Sequence, residues 1–477
     1  MIVELPLYRK GYFGDSSAIN SQRCINLFPE IVEGEVDSKI ALINTSGLRK
    51  LGDIGTGPIR GMVEHLGDVF VVSRNELYKY TTTGTKTLIG TLNTSGGSVS
   101  MASNGVSGGE IIIVDGVDGW TYDGTTLATI SDADFPVSPT KVIFFDGYFI
   151  VLDDNSDYFY LSAAYDGTSW SNLDKARTER DPDNILAVAA HDRMVWFIGE
   201  TTTELWYNSG NDFPFDPVPN SIIEVGIHAP DSLSHLGDEG LIWLASDEKG
   251  KLQVVKSEGT KVKSVTPSSI QSIFETYSTT DDAISFAYQE RGHIFYQLTF
   301  QTEKKTWVYD VTSDAWHEKK DFVALRHRAQ NYIFFNKMHT VGDFENGNIY
   351  ELDINTYTDN SETIYREFTT SHVADKGQLL RHNYLELVVE TGATALLSGQ
   401  GYSPIITMEF SDDDGNTWSN ARSRSLGVQG AYKQNIRWTH LGTTRNRVYK
   451  FKLSDPIRIR IKALLLSLPD EKVERST

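Results

Sequence analysis

The chain has 477 residues, 39% of them hydrophobic, a formal net charge of −20 and a single cysteine. That length exceeds one small core and implies two or three domains. The lone Cys24 excludes an intrachain disulfide framework, no apolar run reaches the ~20 residues of a membrane helix, and the start MIVELPLYRKGYF lacks the basic-then-apolar order of a secretory signal.

Residues 1–45 carry no hairpin pair, and SQRCINLFPEIVEG reads as an extended arm broken at Pro29. From 46 to 360 one pattern recurs: a β-rich run, a short turn, a second β-rich run. Seven such pairs begin at Val69, Ile111, Tyr148, Met194, Leu241, Ile294 and Tyr332, spaced by 42, 37, 46, 47, 53 and 38 residues. A β-only period of roughly 40–50 residues predicts a β-propeller, one blade per repeat, with six or seven blades. Asp and Gly fill the turns, as in VDGVDG, where positive φ is tolerated. Two segments interrupt the rhythm. Residues 167–183 are charged and helix-compatible up to Pro182, and Ile270, Ile273, Phe274 and Tyr277 fall at helical spacing behind the possible caps Ser264 and Thr266. From 361 to 468 longer strands with clean alternation, such as RVYKFKL and IRIRIKALLL, predict a separate β-sandwich or platform domain. A polar tail, 469–477, ends the chain. The expected fold is therefore all-β.

Charge is unevenly spread. Residues 110–160 hold 10 acidic side chains and one basic one, whereas residues 418–462 hold 11 basic and one acidic. Solvated surfaces of opposite sign explain this as readily as a docking end does. Within the basic stretch Arg445, Arg447, Lys450, Lys452, Arg458, Arg460 and Lys462 form a candidate partner-docking face.

The sharpest local motif is SDDDGNTW, an Asp-box at Ser411, Asp413, Gly415, Thr417 and Trp418. It predicts a self-contained structural turn in which Asp caps backbone N–H groups, Gly takes positive φ and Trp packs beneath. A calcium loop is excluded because the closing Glu is replaced by Ser423 or Arg424. GVSGG at 105–109 mimics a nucleophile elbow around Ser107, but a strand, EIIIV, follows where a helix is needed. No zinc spacing, Walker sequence or dinucleotide fingerprint occurs. TWVYDVTSDAWHEK is similar to a kelch-type blade hairpin, with Trp307 and Trp316 between blades and Asp310, Ser313 and Asp314 shaping its turn. The reading is of a non-enzyme, without catalytic residues, metal or cofactor.

Several stretches in order resemble the packaged-DNA stabilisation proteins of short-tailed bacteriophages, the tail-hub or nozzle family. They are SQRCINLFPE (21–30), TSGLRKL (45–51), GPIRGM (57–62), TERDPDNI (178–185), IGETTTELWYNSG (198–210), FPFDP (213–217), VGIHAPDS (225–232) and the kelch-like and Asp-box segments. The resemblance covers residues of about 20 to 465. It implies a structural virion protein of the tail, assembled in the bacterial host cytoplasm as a homohexameric ring. Such a ring closes the portal channel after packaging, stabilises packaged DNA, and lets double-stranded DNA pass on ejection. It binds a head-to-tail adaptor and a tail needle or plug, tailspike or fibre, without membrane insertion. The docking face would meet an acidic neighbour, and the acidic blades would line the DNA path. The alternatives are a receptor- or glycan-binding tail protein, with Tyr158, Tyr160 and Trp170 as candidate aromatics, and, more remotely, a glycan hydrolase. The blade strands offer only Arg60, Arg74, Arg193 and Arg291 toward a sialidase-type arginine triad.

Overall fold

The repeats share a strand that is apolar on both faces: VFVV, IIIV, FIVL, VWFI and LIWL are buried throughout. A strand reads this way when both faces of its sheet are covered. Here each face meets a neighbouring blade. In Ile111–Val114, Ile111 and Ile113 pack with Phe70 and Val72 on one side, and Ile112 and Val114 pack with Phe149 and Val151 on the other.

A computed structural model describes residues 1–8, 21–32, 39–106, 109–178, 183–246, 250–394 and 396–469. It contains seven four-stranded antiparallel blades. Six are contiguous in sequence, opening with strands Ile59–His65, Ser100–Ser103, Pro139–Phe145, Ile185–His191, Ser234–His235 and Ile284–Glu290. The seventh combines Ala329–Phe335, Met338–Asp343 and Asn348–Asp353 with the N-terminal strand Gly47–Asp53, paired from Asn348↔Asp53 to Asp353↔Gly47. Seven apolar clusters occupy the seven blade interfaces, that between blades 7 and 1 being built on Ile59, Val71, Phe335 and Ile349. The ring is closed with seven blades.

The sequence pattern shows two strands per blade because outer strands such as Lys86–Thr91 and Lys261–Ser264 lie largely in water and carry no apolar run. The outer strand of blade 3, Asp166–Arg177, falls in the segment read as helix-compatible. It is an edge strand, and edge strands carry charge to resist pairing with other chains. Residues 179–182 of that segment and Ser107 lie outside the described residues. The helix expected near 270 is present as Ser268–Glu275, with Ile270 and Phe274 buried. Its N-cap is Pro267, not Ser264 or Thr266, because the Thr266 hydroxyl is engaged with the backbone of Val254 in blade 5.

The C-terminal β-sandwich has two sheets. One is ordered Leu27–Val32, Lys39–Asn44, Arg460–Ser467, Tyr384–Val389, Ile436–Thr439, with Ile2–Leu5 also on Arg460–Ser467. The other runs Arg23–Ile25, Arg366–Thr369, Asn446–Leu453, Ile405–Ser411, Arg422–Ser425. Residues 1–45 thus differ from the extended arm expected. Leu27–Val32 and Lys39–Asn44 form a hairpin in which Pro29 faces Leu42. Pro29 is tolerated because its strand is the sheet edge, where a missing N–H breaks no ladder. Residues 9–20 lie outside the described residues. Arg23–Ile25 joins the domains: it pairs antiparallel with Arg366–Thr369 and parallel with the outer strand of blade 6 at Ile25↔Glu318, so one ten-stranded sheet runs through both.

Candidate docking surfaces and the buried polar junction

The Asp-box sits at the end of Ile405–Ser411. Ser411 Oγ donates to Asp413 Oδ1 (2.7 Å) and accepts from Gly415 N–H (2.8 Å), while Thr417 donates from N–H (2.8 Å) and Oγ1 (2.5 Å) to the Asp413 carboxylate. These donors, the Thr417 hydroxyl foremost, hold the Asp413 pKa down to about 2. Gly415 takes φ +90°, and the half-buried Trp418 ring lies 3.4 Å from Lys450 Nζ.

The seven basic residues are divided. In Asn446–Leu453 the alternation turns Tyr449, Phe451 and Leu453 into the sandwich core, so Lys450 and Lys452 lie on the opposite, outer face. There Lys452 pairs with Glu409 (2.9 Å). Arg447 is buried, bidentate to Asp412 (2.6 and 2.7 Å) and over the Phe410 ring. Arg458 is bound to Glu390. Arg460 and Lys462 belong to the other sheet, whose Ile461, Leu464 and Leu466 point into the same core. The two lysine–arginine sets therefore occupy opposite outer faces of the sandwich, and Arg445 lies at a strand end on the Gly377 carbonyl. Single-strand alternation could not reveal that the two strands lie in different sheets.

Several carboxylates of the acidic stretch cap backbone N–H groups. Asp115 accepts from the N–H groups of Val117 and Asp118, Asp123 from Thr125 and Thr126, Asp132 from Asp134 and Trp170, and Asp153 from Ser138. Of the three candidate glycan-binding aromatics, Trp170 is buried edge-on against Phe135 (4.9 Å) and donates to the Gly167 carbonyl, while Lys175 lies over Tyr158 and Tyr160. Trp170 is a core residue because it fills the interface of blades 2 and 3.

On the propeller axis a cavity of about 440 Å³ is lined by inner strands of blades 1, 2, 5, 6 and 7, with Ser100, Ser234, His235 and Asn331 among its walls. Arg60 is buried at its edge and donates to the carbonyls of Gly97, Arg74 and Thr94 (2.7–2.9 Å), tying blade 1 to the segment entering blade 2. Among the described residues no three His, Cys, Asp or Glu side chains group as a metal site.

The most unusual chemistry lies where blades 6 and 7 meet the N-terminal hairpin, and no motif announced it. His293 places Nδ1 2.7 Å from Asp310 and Nε2 3.0 Å from Glu30 of the hairpin. Two carboxylates on one ring require both nitrogens protonated, and its pKa is raised, chiefly by Asp310. Phe28 packs edge-on against both His293 and Phe295 (5.2 Å each). Nearby, Lys319 is buried, donates to Tyr288 Oη (3.0 Å), and burial lowers its pKa to about 8. Burial raises that of Asp359, at the edge of blade 7, to about 7.

This arrangement, a closed propeller locked through shared strands to a sandwich, with polar chemistry spent on holding parts together, defines an assembly protein of a viral particle once set beside its relatives. Residues 4–357 match the family described as "Bacteriophage P22 Gp10, beta-propeller" and residues 365–467 match "Bacteriophage P22 Gp10, beta-sandwich". The chain belongs to the P22 Gp10 family, the packaged-DNA stabilisation proteins of short-tailed phages, and is a structural component of the virion tail. Its family is one of structural proteins that contact other virion components. No curated protein matches the sequence. Among solved structures, the chain is similar to the computationally designed Ika8 protein (11% identity, 70% of this chain and 99% of that one, TM-score 0.37). It is also similar to the Neurospora crassa Pan2 WD40 domain (8%, 65% and 96%, 0.42) and the extracellular domain of a hybrid two-component system from B. thetaiotaomicron (9%, 73% and 44%, 0.44).

Proposed function

We propose that this protein is the tail hub of its virion. Copies form a homohexameric ring that closes the portal channel after packaging, stabilises the packaged DNA, and joins the head-to-tail adaptor to a distal needle, spike or fibre. Double-stranded DNA passes through the ring on ejection, and the ring assembles in the host cytoplasm. The observation that carries this reading is the ten-stranded sheet through both domains. A hub must resist load between the head and the distal tail, and a shared hydrogen-bonded sheet transmits force without a hinge. The basic docking residues are narrowed in this proposal to Arg445, Lys450 and Lys462, since Arg447, Lys452, Arg458 and Arg460 pair with carboxylates within the chain. DNA-filled heads lacking the protein should lose DNA, and adding purified protein should stop the loss and produce six-fold tails by negative-stain microscopy. Unabated DNA loss with the protein bound would refute the closing role; a ring of another order would refute the hexamer alone.

A further inference from the structure

Between the last strand of blade 6 and the first of blade 7, residues 321–328 form a rigid apolar knuckle. Phe322, Val323 and Leu325 are 63%, 69% and 47% exposed. Three adjacent large apolar side chains in water are not a by-product of loose chain. Buried Asp321 accepts from the N–H groups of Val323 and Ala324 (2.8 and 2.7 Å) and pairs with Arg328 (3.1 Å), which also binds Asp343 and Glu345. Arg326 stacks on Phe344 (4.2 Å). Leu325 is held at φ +68°, a conformation a leucine adopts only when its surroundings impose it.

The same chain has a matching recess. A cavity of about 600 Å³ lies where the outer face of the sandwich's hairpin sheet meets blade 6. Its walls include Ala41, Ile43, Val388 and Ala463, and its polar lining is Arg291, Arg460 and Lys462 against one carboxylate, Glu30. The base of the knuckle has the reverse balance, with Asp282, Asp321, Asp343 and Glu345 around Arg326 and Arg328. The cavity continues the interface where Phe28 and Ile43 already pack on blades 6 and 7.

We infer that the knuckle of one copy docks in this cavity of a second copy. Within one chain the two features cannot meet. Arg291 occupies the turn between the first two strands of blade 6, and the knuckle lies at the opposite end of those strands. The contact is therefore head-to-tail: different patches on the two partners, repeated from copy to copy, which closes into a ring when the rotation per step divides a full turn. Apolar anchors enter an apolar recess while the opposite charges of base and rim set orientation. The inference rests on the ring-forming reading above and names its contact.

The test uses the full chain in sedimentation velocity over a concentration series. Phe322→Asp on the knuckle and the pair Lys462→Glu with Ala463→Phe in the recess should each weaken self-association at least about tenfold. Circular dichroism should show unchanged folding, and the exposed Val323→Asp serves in place of Phe322→Asp if that variant is misfolded. Mixed together, knuckle and recess variants should form a dimer and nothing larger, because only one intact knuckle–recess contact exists per pair. Assembly of both variants as in the unmodified chain would overturn this contact and leave the ring reading standing. An unmodified chain that stays monomeric throughout would remove both.

Discussion

Blades 1 to 4 and the junction of blades 6 and 7 solve the same packing problem differently. In the first region each blade is one contiguous meander, and its interfaces are mainly apolar, with Phe159 stacked on Phe197 (4.1 Å) and Phe70 on Tyr122, while buried charge such as Arg60 serves local loop carbonyls. At the junction the chain borrows strands from its N-terminus, and charged groups are buried between elements: His293, Lys319, Asp359 and Arg366. Local hairpins stabilise themselves through burial, whereas closure of a ring joins segments about 300 residues apart and must select one partner strand. Buried polar groups punish a wrong pairing more than apolar ones do. The difference teaches that this molecule's regularity is local and its specificity is concentrated at the seam.

The comparison breaks most visibly if the two domains can be separated. Deleting residues 361–477 removes the sandwich partners of Arg23–Ile25 and of the N-terminal hairpin, leaving Arg23–Ile25 only its pairing with blade 6, and opens the core shared by blade 5, blade 6 and the sandwich. The truncated chain is expected to lose its cooperative thermal transition by circular dichroism; an intact transition would show that the seam is dispensable. Within the propeller, Trp196 and Trp243 are fully buried at the interface of blades 4 and 5, so Trp196→Ala should cost ~3–5 kcal/mol in urea unfolding. The loss should be the same at pH 6 and pH 9, because the Ala, Ile, Leu, Trp and Val side chains that pack there do not titrate.

The seam should behave otherwise. His293 has a raised pKa when folded, so its clamp is complete below the ordinary histidine value of ~6.5 and is lost as pH rises through the folded value. His293→Phe is expected to cost ~1.5–3 kcal/mol at pH 6 and less at pH 9. Asp359 acts in the same direction: between about 4 and about 7 the folded chain holds a proton that the unfolded chain releases, so stability falls as pH rises. Asp359→Asn should flatten that part of the profile, and a profile with unchanged slope would remove Asp359 from the seam's chemistry. Lys319→Met should change stability by less, within ~1 kcal/mol, since an apolar replacement avoids the burial cost of the ammonium. Smallest of all, Asp413→Ala should leave the melting temperature nearly unmoved and speed hydrogen exchange at Thr417, whose N–H it caps.

The apolar second strands and the turns between them made the propeller legible in sequence, because each is covered by a neighbour on both faces and so departs from every amphipathic pattern. The helix at 268–275 was legible for the related reason that Ile270 and Phe274 recur at one helical face. The outer strand of blade 3 was not, since an exposed edge strand and an exposed helix carry the same polar residues. Nor was the basic face: Lys450 and Lys452 share an alternation with Arg460 and Lys462, but alternation is a property of one strand and says nothing about which sheet receives it.

By itself the sequence determined what short-range chemistry can encode: an all-β chain, its repeat, the Asp-box turn and the ordered stretches that mark its family. Only the tertiary structure decided that the blades number seven, that Gly47–Asp53 closes the last of them, and that Arg23–Ile25 sews propeller to sandwich. Those are choices of partner between distant segments. They depend on which buried groups find each other in space, as His293 finds Glu30, and no pattern within either segment contains the other.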